Sequence, residues 1–246
     1  MAWKPIVAGV DLSPEGARAA VVAARLAETA GVRCYLAHAV HDTWAEASLA
    51  PIPVDLAQVN RIVLDTAQAE LRRALQDKVP ADVLDALEVR FGPSGLVLSD
   101  VIDAHDAELL VLGGKHHSKI GRWLGGSTAH HLIRTAEVPI LVTGPPDAGI
   151  RRVLAAVDLS SAAGPTLDAA ERMADLFDAS LRVLHVVEPM PLAPGLPGTL
   201  TDDELMALSE AELEESVWPL IGRPGAERLV RRGPAAEIIA RAAAEW

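Results

Sequence analysis

The stretch of this chain best equipped for chemistry runs from Leu109 to Gly144, LLVLGGKHHSKIGRWLGGSTAHHLIRTAEVPILVTG. An apolar run, Leu109 to Leu112, ends on Gly113 and Gly114, and a polar loop carrying Lys115, His116 and Arg122 follows. Gly125-Gly126-Ser127-Thr128 then opens a helical stretch, and a second apolar run, Ile140 to Val142, comes after Pro139. The order is strand, glycine-bearing loop, helix N-terminus, strand. Free backbone N–H groups at a helix start, at the positive end of the helix dipole, attract phosphate. Glycines let the main chain approach a ligand closely. The segment therefore points to a nucleotide-phosphate ligand. Ser127 suits an N-cap as well as a phosphate contact. Lys115 and Arg122 are either solvated loop charges or counter-ions for that ligand.

The elements that must position this loop repeat along the chain. Ile6-Val7-Ala8-Gly9-Val10 precedes Asp11-Leu12-Ser13, and Val153-Leu154-Ala155-Ala156-Val157 precedes Asp158-Leu159-Ser160, 147 residues on. His38 and His185, late in two further apolar runs, keep the same spacing. Phe91-Gly92-Pro93 and Arg232-Gly233-Pro234 match at a spacing of 141. This is an internal duplication. The residues matching 106–144 have no counterpart before Trp246, which falls opposite His105, so the second copy stops short of its fourth and fifth strands. It also lacks a phosphate loop, and we expect no nucleotide binding from it alone.

Turn and cap signals divide the first copy. Strands are expected at Ile6–Val10, Cys34–Val40, Leu87–Phe91, Leu109–Leu112 and Pro139–Thr143, with helices at about 14–29, 56–76, 93–104 and 127–135. Ser13 caps the first helix ahead of Pro14, and Gly31 ends it. Strands alternating with helices imply an α/β fold of two Rossmann-like, doubly wound parallel sheets with right-handed crossovers. The domains fall at 1–146 and 150–246.

Composition narrows the class. The net charge of −12 argues against nucleic acid and anionic membrane surfaces. No apolar run reaches the ~18 residues of a membrane span. The single cysteine, Cys34, excludes an intrachain disulfide and fits a reducing compartment, so a cytoplasmic location is expected. The pairs His116-His117 and His130-His131 lack the ligand pattern of a zinc site, and adjacent residues do not share a helix face. No G-x-x-x-x-G-K-[ST] loop and no G-x-S-x-G elbow occurs, and no catalytic residue is assigned.

Taken together, these residues resemble the universal stress protein family in its tandem-domain form. The family signature is Gly, two residues, Gly, nine residues, Gly, then Ser or Thr. Here it falls on Gly113, position 116, Gly126 and Ser127, with His116 in place of the second glycine. The resemblance implies a five-stranded sheet of order 3-2-1-4-5 and, for many members, ATP, with any Mg²⁺ arriving on the nucleotide. It carries Asp11 to the ribose and adenine, the backbone of Ala39 to the adenine edge, and Gly113, Gly126, Ser127 and Thr128 to phosphate and ribose. His116 either meets a phosphate through its ring or blocks the pocket. Asp11 equally suits a turn before a helix. The implied function is a stress-response, nucleotide-dependent regulatory or interaction module. Alternatives are a dimerising interaction module that does not bind ATP, and a weak ATPase or adenylyl-transfer enzyme. The family's fifth strand often pairs across a two-fold axis, so residues 138–143 are expected to join two chains as a homodimer.

Overall fold

A computed structural model of the chain describes residues 2–41, 56–114, 138–144, 149–189 and 201–246. Two compact units, 1–147 and 148–246, divide the chain. In the first, β1 (Ile6–Gly9), β2 (Cys34–Val40), β3 (Leu87–Phe91), β4 (Leu109–Gly113) and β5 (Ile140–Thr143) form one sheet of order β3-β2-β1-β4-β5. Every pairing is parallel. The central strand is apolar on both faces, and Ile6, Val7 and Ala8 are fully buried, as a sheet covered by helices on each side requires. The connecting helices are α1 (Pro14–Ala30), α2 (Leu56–Leu75), the short α3 (Ala81–Asp85) and α4 (Ser94–Ala104).

The second unit repeats the first half of this plan. Its strands are β6 (Arg152–Val157), β7 (Ser180–Val187) and β8 (Glu227–Arg232), and its helices α5 (Ala163–Leu176), α6 (Asp202–Glu212) and α7 (Ala235–Glu245). The sheet has order β6-β7-β8, parallel throughout. Thr201 starts α6 with a capping box, its side chain accepting from the Glu204 N–H while the Glu204 carboxylate accepts from the Thr201 N–H. A π-type turn, Leu213–Val217, and a 3₁₀ turn, Trp218–Leu220, extend it. Leu213, Val217 and Trp218 enter the core with Leu167 and Val183, while Glu214 and Glu215 stay in water. The acidic run is thus the outer face of a packed helix.

Most boundaries expected from the sequence shift by a residue or two. β5 begins after Pro139, which has no N–H to give the ladder, although its carbonyl accepts from Leu110 N–H at 3.0 Å. The helix α3 was not anticipated. It is only five residues long, following Pro80, and it buries Val83 alone. The helix expected at 127–135 lies outside the described residues. No described helix is long and apolar enough to cross a membrane. Cys34 is buried, and burial followed by the nearby Asp82 charge pushes its thiol up to about 12, far from reactive.

The two units reuse the same local devices. Gly31 takes φ 68° at the end of α1, and Asp178, 147 residues on, takes φ 48° at the end of α5. Gly92 and Gly233, at φ 140° and 137°, donate to the carbonyls of Val40 and Val187 at 3.0 and 3.1 Å. A stacking contact also pins the last residue after α4 or α7 to the sheet. In the first unit the His105 ring stacks on Tyr35 with centroids 3.6 Å apart. In the second, Trp246 takes the place of His105 and Arg182 that of Tyr35, the guanidinium lying 4.2 Å from the ring centroid. The geometry survives a complete change of chemistry.

The His105 clamp is reinforced by charge. Its Nε2 lies 2.6 Å from Glu88 Oε1, and Arg90 donates to Glu88 Oε2 at 2.5 Å. Burial raises the Glu88 carboxyl, yet the hydrogen bonds from His105 and Arg90 and their charges outweigh it and hold the group below the usual carboxylate value. A carboxyl held low in the folded chain binds fewer protons there than when unfolded. Its stabilisation is therefore present above the ordinary glutamate value and lost as pH falls through the lower folded one. Glu88→Gln should unfold at lower denaturant than the parent at about pH 7, and the gap should close as pH drops toward about 3. Denaturation midpoints at several pH values check this; a gap independent of pH would show that Glu88 contributes no charge pairing.

Candidate functional site

The carboxyl ends of β2, β1 and β4 lie side by side, which brings Asp11, Ala39 and Gly113 to one edge of the first sheet. Gly126, Ser127, Thr128 and His116 lie outside the described residues.

Asp11 follows the last residues of the first strand run and begins a tight turn into α1. Its Oδ1 accepts from the Ser13 N–H at 3.0 Å and from the Ser13 hydroxyl. Ser13 Oγ in turn accepts from Gly16 N–H at 3.1 Å, the side-chain cap of α1. Asp11 Oδ2 makes no hydrogen bond among the described residues, and the side chain is exposed. Asp11 is therefore a turn residue through one oxygen and available to solvent through the other. Ala39 is half-buried in β2, in register with Arg90 of β3.

His38, next to Ala39, sits where β1 and β2 end. Its Nδ1 is 2.7 Å from the Val10 carbonyl oxygen. A carbonyl only accepts, so Nδ1 carries the hydrogen and the tautomer is fixed. The bond holds the two strand ends beside Asp11. His185 makes the same bond to Val157 at 2.9 Å, across the same 28-residue interval. The recurrence of the histidine in the sequence is thus structural.

Gly113 and Gly114 have a packing reason to be glycine. A Cβ on Gly113 would lie 2.5 Å from the Glu15 carbonyl carbon and oxygen, on the first turn of α1. One on Gly114 would lie 2.6 Å from the Thr143 carbonyl oxygen, which already accepts from Gly114 N–H at 3.1 Å. Both contacts are with backbone, so neither can give way cheaply. Close helix–strand and strand–strand approach demands these glycines before any ligand is considered. Sequence reading missed this because it depends on which turn of α1 lies over β4. It missed Thr143 too: 5% exposed at the end of β5, its hydroxyl has no hydrogen-bond partner among the described residues.

The second unit keeps the turn of this edge and departs from the rest of it in two ways. Asp158 repeats the turn, with Oδ1 accepting from Ser160 N–H at 3.0 Å and Oγ–H at 2.6 Å. The Ser160 side-chain and backbone hydrogen bonds hold the Asp158 carboxyl below its usual value. Ala163 stands where Gly16 does, and α5 starts there, two residues later than α1 does by the same count. Glu188, opposite His41, accepts from Ala235 N–H at 2.8 Å and so occupies the start of α7 with a carboxylate. The two edges thus place their carboxylates differently, Glu15 at the start of α1 in the first and Glu188 at the start of α7 in the second. No group of three or more potential metal ligands occurs among the described residues.

A family model described as Universal stress protein family matches residues 2–144 and again 149–246. The chain belongs to the universal stress protein family. Among solved structures, a universal stress protein from Archaeoglobus fulgidus DSM 4304 is 15% identical and covers 98% of this chain and 83% of its own, with a TM-score of 0.62. A putative universal stress protein from Pseudomonas aeruginosa UCBPP-PA14 is 17% identical, with 99% and 79% coverage and a TM-score of 0.56. A universal stress protein in complex with cAMP is 22% identical over 58% of this chain and 98% of its own, with a TM-score of 0.37. No curated protein matches the chain. The likeness to the first two supports the tandem α/β fold of this universal stress protein and, at such identity, the fold alone.

Gly16 is the glycine on which the Asp11 turn depends. A Cβ there would lie 2.2 Å from Asp11 Oδ1 and 2.5 Å from Asp11 N. Gly16→Ala should cost about 1–3 kcal/mol, read as a lower denaturant midpoint with an unchanged slope. An unaltered midpoint would mean the turn is not built as described.

Proposed function

We propose that this universal stress protein binds ATP at the carboxyl edge of its first sheet and works as a nucleotide-dependent regulatory or interaction module in the stress response. The observation that carries the reading is the meeting of Asp11, Ala39 and Gly113 on adjacent strand ends, where doubly wound sheets take ligands. Asp11 Oδ2 is open to accept from a ribose hydroxyl, and the Ala39 main chain would meet the adenine edge. Gly113, His116, Gly126, Ser127 and Thr128 would supply the phosphate and ribose contacts, with Mg²⁺ carried by the nucleotide. The bound ATP contributes an anionic tail whose presence or loss biases the loop around it. We assign no general base in this set, so hydrolysis, if it occurs, is slow. In the second unit Glu188, where the first has His41, puts a carboxylate at the start of α7 and so disfavours a triphosphate there. One nucleotide per chain is the consequence.

The experiment is release of nucleotide on denaturing the purified chain, followed by ATP titration of Gly126→Leu. The parent should carry or take up ATP, and the variant should bind at least about tenfold more weakly, roughly 1.4 kcal/mol. Equal affinity in the two would misplace the phosphate site.

A second reading, a dimerising module without ATP, is favoured by the packing reason for Gly113 and Gly114, which removes the need for a ligand there. In the sheet order β5 is an edge strand. Open edges invite pairing. We propose that two chains join through residues 138–143, whichever reading holds for ATP. Light scattering at micromolar concentration should give the dimer mass; monomer alone contradicts the pairing.

A further inference from the structure

We infer that the second unit carries a separate site for a small monocarboxylate with a short apolar body, between β8 and α7. A cavity of about 200 Å³ lies there, lined by Arg231, Ile238, Arg241, Ala242 and Glu245. Ile238, Arg241, Ala242 and Glu245 recur at three- and four-residue spacing, so one face of α7 supplies four of the five. Ile238 and Ala242, 6% and 8% exposed, are the apolar residues of its lining. Arg231 and Arg241 are both exposed.

Comparison with the first unit shows what is unusual. At the 141-residue spacing Arg231 occupies the place of Arg90, whose charge is met by Glu88 at 2.5 Å. The counterpart of Glu88 is Leu229, and Arg231 has no ion pair among the described residues. Arg241 stands where the first unit has Asp100. Its contact with Glu245 is 4.0 Å between two well-exposed side chains, too loose to occupy the guanidinium. The lining itself thus carries a net positive charge, two arginines against Glu245, in a chain of net charge −12. Arginine forks favour carboxylate geometry. Two arginines against one glutamate leave a single positive charge, which a monoanion neutralises and a dianionic phosphate exceeds. The volume is below that of drug-sized pockets, about 300–1,000 Å³, so the ligand is small.

The test uses the full chain with labelled methyl groups and arginine side chains, titrated by NMR with pentanoate and separately with inorganic phosphate. Pentanoate should give saturable shifts at the Ile238 methyl group and at Arg231 and Arg241 Nε–H. In the Arg231→Gln, Arg241→Gln double variant, affinity should fall at least tenfold, while the other methyl signals keep their positions and report an intact fold. Both side chains are exposed, so the fold does not rest on them. Phosphate shifting the arginines as strongly, with no response at Ile238 to pentanoate, would reduce the cavity to a non-specific charged patch. Pentanoate shifts that persist in the double variant would equally overturn the site.

Discussion

The hydrogen bond from His38 Nδ1–H to the Val10 carbonyl, 2.7 Å long, sets the rest of the first unit's upper edge. It closes the gap between the ends of β1 and β2 just where the sheet gives way to loops. A strand-end carbonyl left buried and unmet would cost about 1–3 kcal/mol, so the imidazole is worth more than its packing alone. With the two ends fixed, Asp11 can turn on Ser13, Ser13 can cap α1, and the first turn of α1 can lie on Gly113. Each step presupposes the one before. The second unit makes the same bond with His185 and Val157, and builds the same Asp-x-Ser turn on it.

From that shared base the units diverge through a few side chains. Gly16 against Ala163 moves the start of the following helix. His41 against Glu188 places a carboxylate at a helix start that the first unit leaves without one. Tyr35 and His105 against Arg182 and Trp246 exchange an aromatic stack for a cation over an indole, while the clamp itself persists. A duplicated scaffold tolerates such changes because each device needs a shape, a donor or a flat surface rather than one residue. The chemistry available at the two edges differs as a result.

The fold was readable because its signals are local. Apolar runs, Ser13 with Pro14, and the Gly-Pro pairs at 92 and 233 mark elements within a few residues of themselves, and the duplication doubled each signal. Contacts between distant elements were not readable. That Gly113 faces Glu15, that Thr143 buries its side chain at the end of β5, or that Trp246 lies on Arg182 depends on how helices settle on the sheet. The candidate site divides in the same way: Asp11 and Ala39 come from the family resemblance and Gly113 from its signature, and the strand order sets the ends of β2, β1 and β4 side by side. The glycine at 113 was chosen for ligand approach and has a second cause in packing.

On the proposed function, an anionic nucleotide is held at one edge only. Backbone amide shifts of the labelled chain during ATP titration test it most directly. Saturable changes are expected at 11–13, 39–41 and 113–114, with the signals of 158–160 and 235–237 unmoved. Shifts of equal size and midpoint in both groups, or none in the first at millimolar ATP, would contradict it.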